Sequence, residues 1–143
     1  MATARRVVVP RRGDVFVVSF DPAPGAEIQQ TRPALVSQND IANRFSPITI
    51  VAGITSQFGA KLYPTEVLIK VPEGGLERDS VVRLNQVRSI DRRRLVKRFG
   101  RLGPGTMRLV DRAIQISLGL RLAARPNEGD PATGDGDRLR EPR

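Results

Sequence analysis

Residues 11–55 read RRGDVFVVSFDPAPGAEIQQTRPALVSQNDIANRFSPITIVAGIT, and this stretch decides the fold. It holds three short apolar runs, at 14–20, 34–37 and 48–54, rich in Val and Ile. Runs of that length and β-branched content read as strands rather than helices. Asp21-Pro22 with the residues up to Gly25, the polar stretch around Asn39, and Ser46-Pro47 supply the interruptions. The pattern sets one arginine, Arg32, just after a loop and one threonine, Thr55, at a strand end.

Working outward, runs at 66–71, 80–84 and 86–90 are separated from the first three by further turn residues such as those at 72–75. Six short strands in about eighty residues predict a mainly β domain, a small curved barrel or sandwich. Short helices are predicted at 40–44 and 92–99. A longer one starts at Pro104, a favoured first-turn residue. Its apolar positions, from Met107 and Leu109 to Leu118 and Leu120, cover an arc of roughly 200°, wider than one core face requires. Two readings stay open: the helix meets its own barrel on one side and a second subunit on the other, or it is sunk deeper into its own core.

The ends of the chain differ from the middle. Residues 1–11 are basic and read as a flexible arm, with residues 7–9 able to extend a sheet edge. Residues 12–122 form the folded domain. Residues 123–143, AARPNEGDPATGDGDRLREPR, hold too little apolar surface to offset the entropy of ordering and read as a disordered tail.

Charge narrows the partners. The chain has 24 basic and 15 acidic residues, a formal net charge of +9 and a pI near 11.4, which favours a polyanion. The excess divides as +4 in residues 1–12, +6 in 13–122 and −1 in 123–143. Arg92, Arg93, Arg94, Lys97, Arg98 and Arg101 form a run that is either a phosphate-binding face or a solvated surface, the second being favoured. With no cysteine and no histidine, thiolate and imidazole zinc sites are excluded, and the usual acid–base group for neutral pH is missing. The longest apolar segment is too short to span a bilayer and the start lacks a signal-peptide core, so a cytoplasmic location with no membrane contact is expected.

The chain resembles the MazF/PemK family of toxin endoribonucleases. Gly13-Asp14, Asp21-Pro22, Gly25, Glu27 and Arg32-Pro33 fit the family's opening pattern, and QNDIANRFSP at 38–47, KLYPTEV at 61–67, LERDSVVRLNQVRSIDRRRL at 76–95 and AIQISLGL at 113–120 are similar to its Gram-positive branch. The match spans about 110 of the 143 residues, in order. It implies an SH3-like small β-barrel of the CcdB/Kid/MazF type with a C-terminal helix, a symmetric homodimer, and sequence-specific cleavage of single-stranded RNA (mRNA) with no cofactor and no metal. It also implies a cognate partner, a MazE-like antitoxin whose acidic segment occupies the RNA channel, as a basic groove attracts carboxylates as well as phosphates.

Carried over residue by residue, the resemblance implies Arg32 and Thr55 as the catalytic pair. The loops on either side imply an RNA-binding set of Gly25, Gln30, Thr31, Ser56, Gln57, Phe58 and Lys61, with Gln86 on the same wall. Two departures stand out: Ala26-Glu27-Ile28-Gln29-Gln30 replaces a Ser-Glu-Gln-Gly-Gly loop, and Asn85 stands where relatives carry a glutamate.

The chemistry suits these residue types. Metal-independent RNA cleavage uses the adjacent 2′-hydroxyl as nucleophile and leaves a 2′,3′-cyclic phosphate and a 5′-hydroxyl. A guanidinium offers phosphoryl oxygens a planar fork of donors, and a threonine hydroxyl adds another donor. Arginine is a poor base, so Glu27 is the candidate to accept the 2′ proton. Taken singly, Arg32 reads as a structural ion-pair partner and Thr55 as an ordinary strand residue. A DNA gyrase inhibitor on the same barrel and a non-catalytic RNA-binding barrel are the alternatives. Phe58 and Tyr63 are the candidates for base stacking, whereas Phe16 and Phe20 alternate with core positions.

Overall fold

A computed structural model describes residues 8–20 and 31–121. Six strands and two helices follow in the order β1 (Asp14–Ser19), β2 (Thr31–Val36), α1 (Asp40–Phe45), β3 (Ile48–Thr55), β4 (Glu66–Ile69), β5 (Ser80–Asp91), β6 (Leu95–Arg101) and α2 (Pro104–Leu118). All neighbouring strands are antiparallel, in one sheet of order β4-β5-β3-β2-β1-β6.

Strand alternation gives the sheet two buried faces. Val15, Leu35, Ala52, Ile54, Val67, Val82 and Leu84 form one core with Val110 and Ala113 of α2, while Phe16, Val18, Ala34, Val36, Val51, Ile90 and Leu95 form a second. The expected SH3-like barrel is matched in strand content and in the C-terminal helix, but the sheet is not closed, because β4 and β6 are its two edges and share no ladder. The 3-10 turn Glu73–Gly75 after β4 lies against β6 instead. A Cβ on Gly75 or on Gly100 would come within 3 Å of backbone atoms, so only glycine permits this approach. Glu73 adds a polar tie, accepting from Gly103 N (2.8 Å) and Thr106 Oγ1 (3.0 Å) at the start of α2.

Two predicted elements are corrected. The runs at 80–84 and 86–90 are one strand, β5, whose pairing with β3 jumps from Gly53↔Arg83 to Ala52↔Val87, leaving residues 84–86 as an irregularity. The predicted helix at 92–99 is a single 3-10 turn, Arg92–Arg94, followed by β6. Leu95, Val96 and Phe99 have helical spacing, but β1 offers the backbone of residues 95–101 an open edge, and strand pairing prevails. A lysine and two arginines are what an edge strand tolerates.

The basic run at 92–101 stays largely at the surface, with Arg93, Lys97, Arg98 and Arg101 exposed, but its guanidiniums are engaged by the protein's own acceptors. Arg92 donates to Asn43 O (2.7 Å), Arg93 pairs with Asp91 (3.0 Å) and Arg94 donates to Ser19 O (3.2 Å). Arg98 (3.1 Å) and Arg101 (2.8 Å) converge on Asp14 Oδ1, whose side chain is only 4% exposed. These guanidiniums fasten β6 and the turn before it to the rest of the sheet.

Helix α2 buries Val110 and Ala113 and half-buries Met107 and Ile114, while Leu109, Ile116 and Leu118 are exposed, as is Leu120 after it. It is therefore not sunk deeper into its own core. Val8 and Val9 are exposed and belong to no strand, so they do not extend the sheet. Pro10 is buried and the Arg11 N–H donates to Asp14 at 2.9 Å, whereas residues 1–7 of the expected arm, the 123–143 tail and the residues of the first loop at 21–30 lie outside the described residues. Among the described residues no helix is long and apolar enough to cross a membrane.

Candidate active site

Register brings Arg32 and Thr55 to one place. The β2–β3 ladder pairs Val36↔Val51, Leu35↔Ala52 and Ala34↔Gly53, and stops where Pro33 has no N–H to give. Continued two steps at the same offset, it sets Arg32 opposite Thr55. Arg32 alternates with Ala34 and Val36, and Thr55 with Gly53 and Val51, so both belong to the sheet face of the second core and not to the face covered by α2. Arg32 is exposed, and among the described residues no acceptor engages its guanidinium; Thr55 is half-buried.

The Thr55 hydroxyl is oriented. Its oxygen accepts the Gln57 N–H at 3.0 Å, which leaves the hydroxyl proton to be donated elsewhere. Next along β3, Gly53 carries no side chain, and the Gln86 Oε1 lies 3.6 Å from where its Cβ would stand. The β5 irregularity thus places the Gln86 amide over Gly53, on the Arg32–Thr55 face.

The other expected residues divide. Thr31 is exposed and pairs with Ser19 at the start of β2. Ser56, Gln57 and Lys61 are exposed and Phe58 half-buried, all in the loop following Thr55. Tyr63 is exposed near that loop's end. Gly25, Glu27 and Gln30 fall outside the described residues. Asn85 is exposed within the β5 irregularity.

One neighbour was not anticipated. Arg88 pairs with Val51, which puts it on the face of Arg32 and Thr55, and its guanidinium sits 5.0 Å from the centroid of the Phe20 ring. Phe20 packs against the second core, as its alternation predicted, and so presents a fixed ring to the arginine. The signal was present: in the Gln86-Val87-Arg88 step, residues two apart on a strand share a face. The site therefore gathers two guanidiniums, a hydroxyl held as a donor and an amide, a set suited to an anion with several oxygens.

Comparison with known proteins identifies the family of this fold. Residues 11–118 match the family model described as PemK-like, MazF-like toxin of type II toxin-antitoxin system. Endoribonuclease EndoA of Bacillus subtilis is 47% identical over 113 residues, covering 79% of this chain and 97% of that protein. The crystal structure of MazE-MazF (Form-II) from Deinococcus radiodurans contains a chain 28% identical, superposing with a TM-score of 0.67 over 80% of this chain and 99% of that one. An endoribonuclease from a mycobacterial species, at 20% identity, shares the fold with a TM-score of 0.68 over 83% of this chain and 100% of its own. Extending from Arg11 through the last residue of α2, the match includes every strand and helix described above, and the chain belongs to the PemK-like, MazF-like toxins of type II toxin–antitoxin systems.

Proposed function

We propose that this chain is an endoribonuclease toxin that cleaves single-stranded RNA at specific sequences, without metal, through attack by the 2′-hydroxyl. The observation that carries the proposal is the shared face of Arg32 and Thr55, one cationic fork and one hydroxyl opposite each other in the continued register. Bound there, a scissile phosphodiester has its non-bridging oxygens held by the Arg32 guanidinium and the Thr55 hydroxyl. The 2′ oxygen attacks phosphorus and the bond to the 5′ oxygen breaks, giving a 2′,3′-cyclic phosphate and a 5′-hydroxyl. Both donors strengthen as negative charge grows on the phosphoryl oxygens, which is the differential binding that accelerates the step. Glu27 takes the 2′ proton, and the departing oxygen receives one from Arg32 or from water held by it. Gln86 and Arg88, with the loop bearing Ser56, Gln57, Phe58 and Lys61, hold the flanking nucleotides, and Gly25, Gln30 and Thr31 add contacts to the RNA.

The partner in this proposal is an antitoxin with an acidic segment. The Deinococcus complex of MazE with MazF supports it, as do the two guanidiniums at the centre of the face. The active form is a homodimer, and sedimentation as a monomer at micromolar concentration would remove that part.

Incubation with a long RNA in EDTA tests the whole. Cleavage at recurring sequences with cyclic-phosphate and 5′-hydroxyl ends is expected; intact RNA, or activity only with added divalent cation, overturns it. Glu27→Gln is expected to lower the rate constant with little change in RNA affinity, and an unchanged rate removes Glu27 as the base.

A further inference from the structure

Beside Thr55, on the same face of the sheet, lies the Glu66–Arg83 ion pair. Glu66 and Arg83 face each other across β4 and β5, and Arg83 also pairs with Gly53 of β3, two register steps from the Thr55↔Val81 pair. The Glu66 side chain is only 8% exposed and uses both oxygens: Oε2 accepts from Arg83 Nε at 3.1 Å and Oε1 from Tyr63 N at 3.1 Å. Arg83 then donates from Nη2 to Gln57 O at 3.1 Å. One pair thereby fastens the loop after Thr55 near both ends. The residue it fastens, Gln57, is the one whose N–H occupies the Thr55 oxygen.

We propose that Arg83, fixed by Glu66, is a positioning residue for the cleavage reaction: by holding the Gln57 backbone it keeps the Thr55 oxygen engaged as an acceptor and its proton directed at the phosphate. This rests on the cleavage reading above. A hydroxyl free to rotate spends part of its time accepting or pointing away, and a donor prearranged at the developing charge loses less on reaching the transition state. Arginine is needed because its planar fork reaches a carboxylate and a carbonyl at once, which an ammonium does not.

The test is a double-mutant cycle with a physical readout beside it. In Arg83→Met, which keeps the packed stem, the Gln57 amide is expected to exchange with solvent about tenfold faster, and the single-turnover rate constant on an RNA oligonucleotide to fall about tenfold, the scale of one lost hydrogen bond. Arg83→Lys should behave like Arg83→Met. In a Thr55→Val background the Arg83 substitution should cost nothing further in rate constant, since the hydroxyl it aims is gone. An equal fall in both backgrounds would show a general structural role and overturn the proposal, as would full activity or an unchanged Gln57 exchange rate in Arg83→Met. A wild-type chain that does not cleave removes the cleavage reading itself, whereas a cleaving wild type with additive mutants removes only the inference.

Discussion

Two sets of basic residues are used in opposite ways. The dense run at 92–101 is spent on the protein's own acceptors: its five arginines, three of them exposed, donate to Asn43 O, Asp91, Ser19 O and Asp14. The sparse set, Arg32 and Arg88, comes from two different strands, and the one protein contact the structure gives it among the described residues is the ring of Phe20. Density along the chain is therefore no guide to where an anion binds. What separates the sets is whether acceptors of the protein already occupy the guanidiniums, because a donor engaged with a buried carboxylate has little left to offer a phosphate.

The largest effect that would break this contrast lies at Arg32. Arg32→Ala should leave the melting temperature unchanged and lower kcat/KM by about 2 to 4 kcal/mol of transition-state stabilisation, with Thr55→Val somewhat milder. Retained cleavage by folded Arg32→Ala places the reaction elsewhere. On the structural side, Asp14→Ala removes the acceptor shared by Arg98 and Arg101 and by the Arg11 N–H (2.9 Å). The two arginines are half-exposed and water recovers part of the loss, so about 2 to 3 kcal/mol of stability is expected to disappear in urea unfolding, with cleavage per folded molecule intact.

A smaller effect sharpens the comparison. Arg88→Ala should weaken RNA binding by about 1 kcal/mol and reduce the slope of log affinity against log salt by about 0.7, as for one lost phosphate contact on a single strand. Arg93→Ala, whose guanidinium is already on Asp91, should leave that slope unchanged; equal losses would erase the distinction. Smallest is the pH response of that pair. Hydrogen bonding from Arg93, side chain first and backbone second, holds the Asp91 carboxyl at about 2, below its ordinary 3.8. A depressed carboxyl favours the folded state above its unfolded value, and the benefit is lost as pH falls from near 4 through about 2. Asp91→Asn should thus melt slightly below wild type at pH 6, with the difference shrinking steadily as pH falls from about 4 to about 2. Both side chains are solvent-washed, so the gap is small.

Local pattern went far toward the fold. The β-branched runs and their turn residues marked β1, β2, β3 and β4, and Pro104 marked the start of α2, because periodicity and turn chemistry act within a few residues. The same signals failed at residues 92–99, where a strand forms only because β1 has an unfilled edge, and at 84–86, where a break in pairing looked like a break between strands. Arg88 was missed although the spacing from Gln86 held the clue, and the Glu66–Arg83 pair was missed because nothing in local spacing announces a partner 17 residues away.

The amino-acid sequence alone determined the strand-rich domain and the absence of histidine and cysteine chemistry, which follow from residue types and short-range pattern, while Arg32, Thr55 and Gln86 were implied by its resemblance to a family. Only the tertiary structure decided which arginines are consumed, that Arg88 joins the face of Arg32 and Thr55, and that the Glu66–Arg83 pair ties down the loop whose Gln57 N–H donates to the Thr55 oxygen. Those outcomes depend on strand register, and register is fixed by which faces the whole sheet can bury at once, a condition no single segment contains.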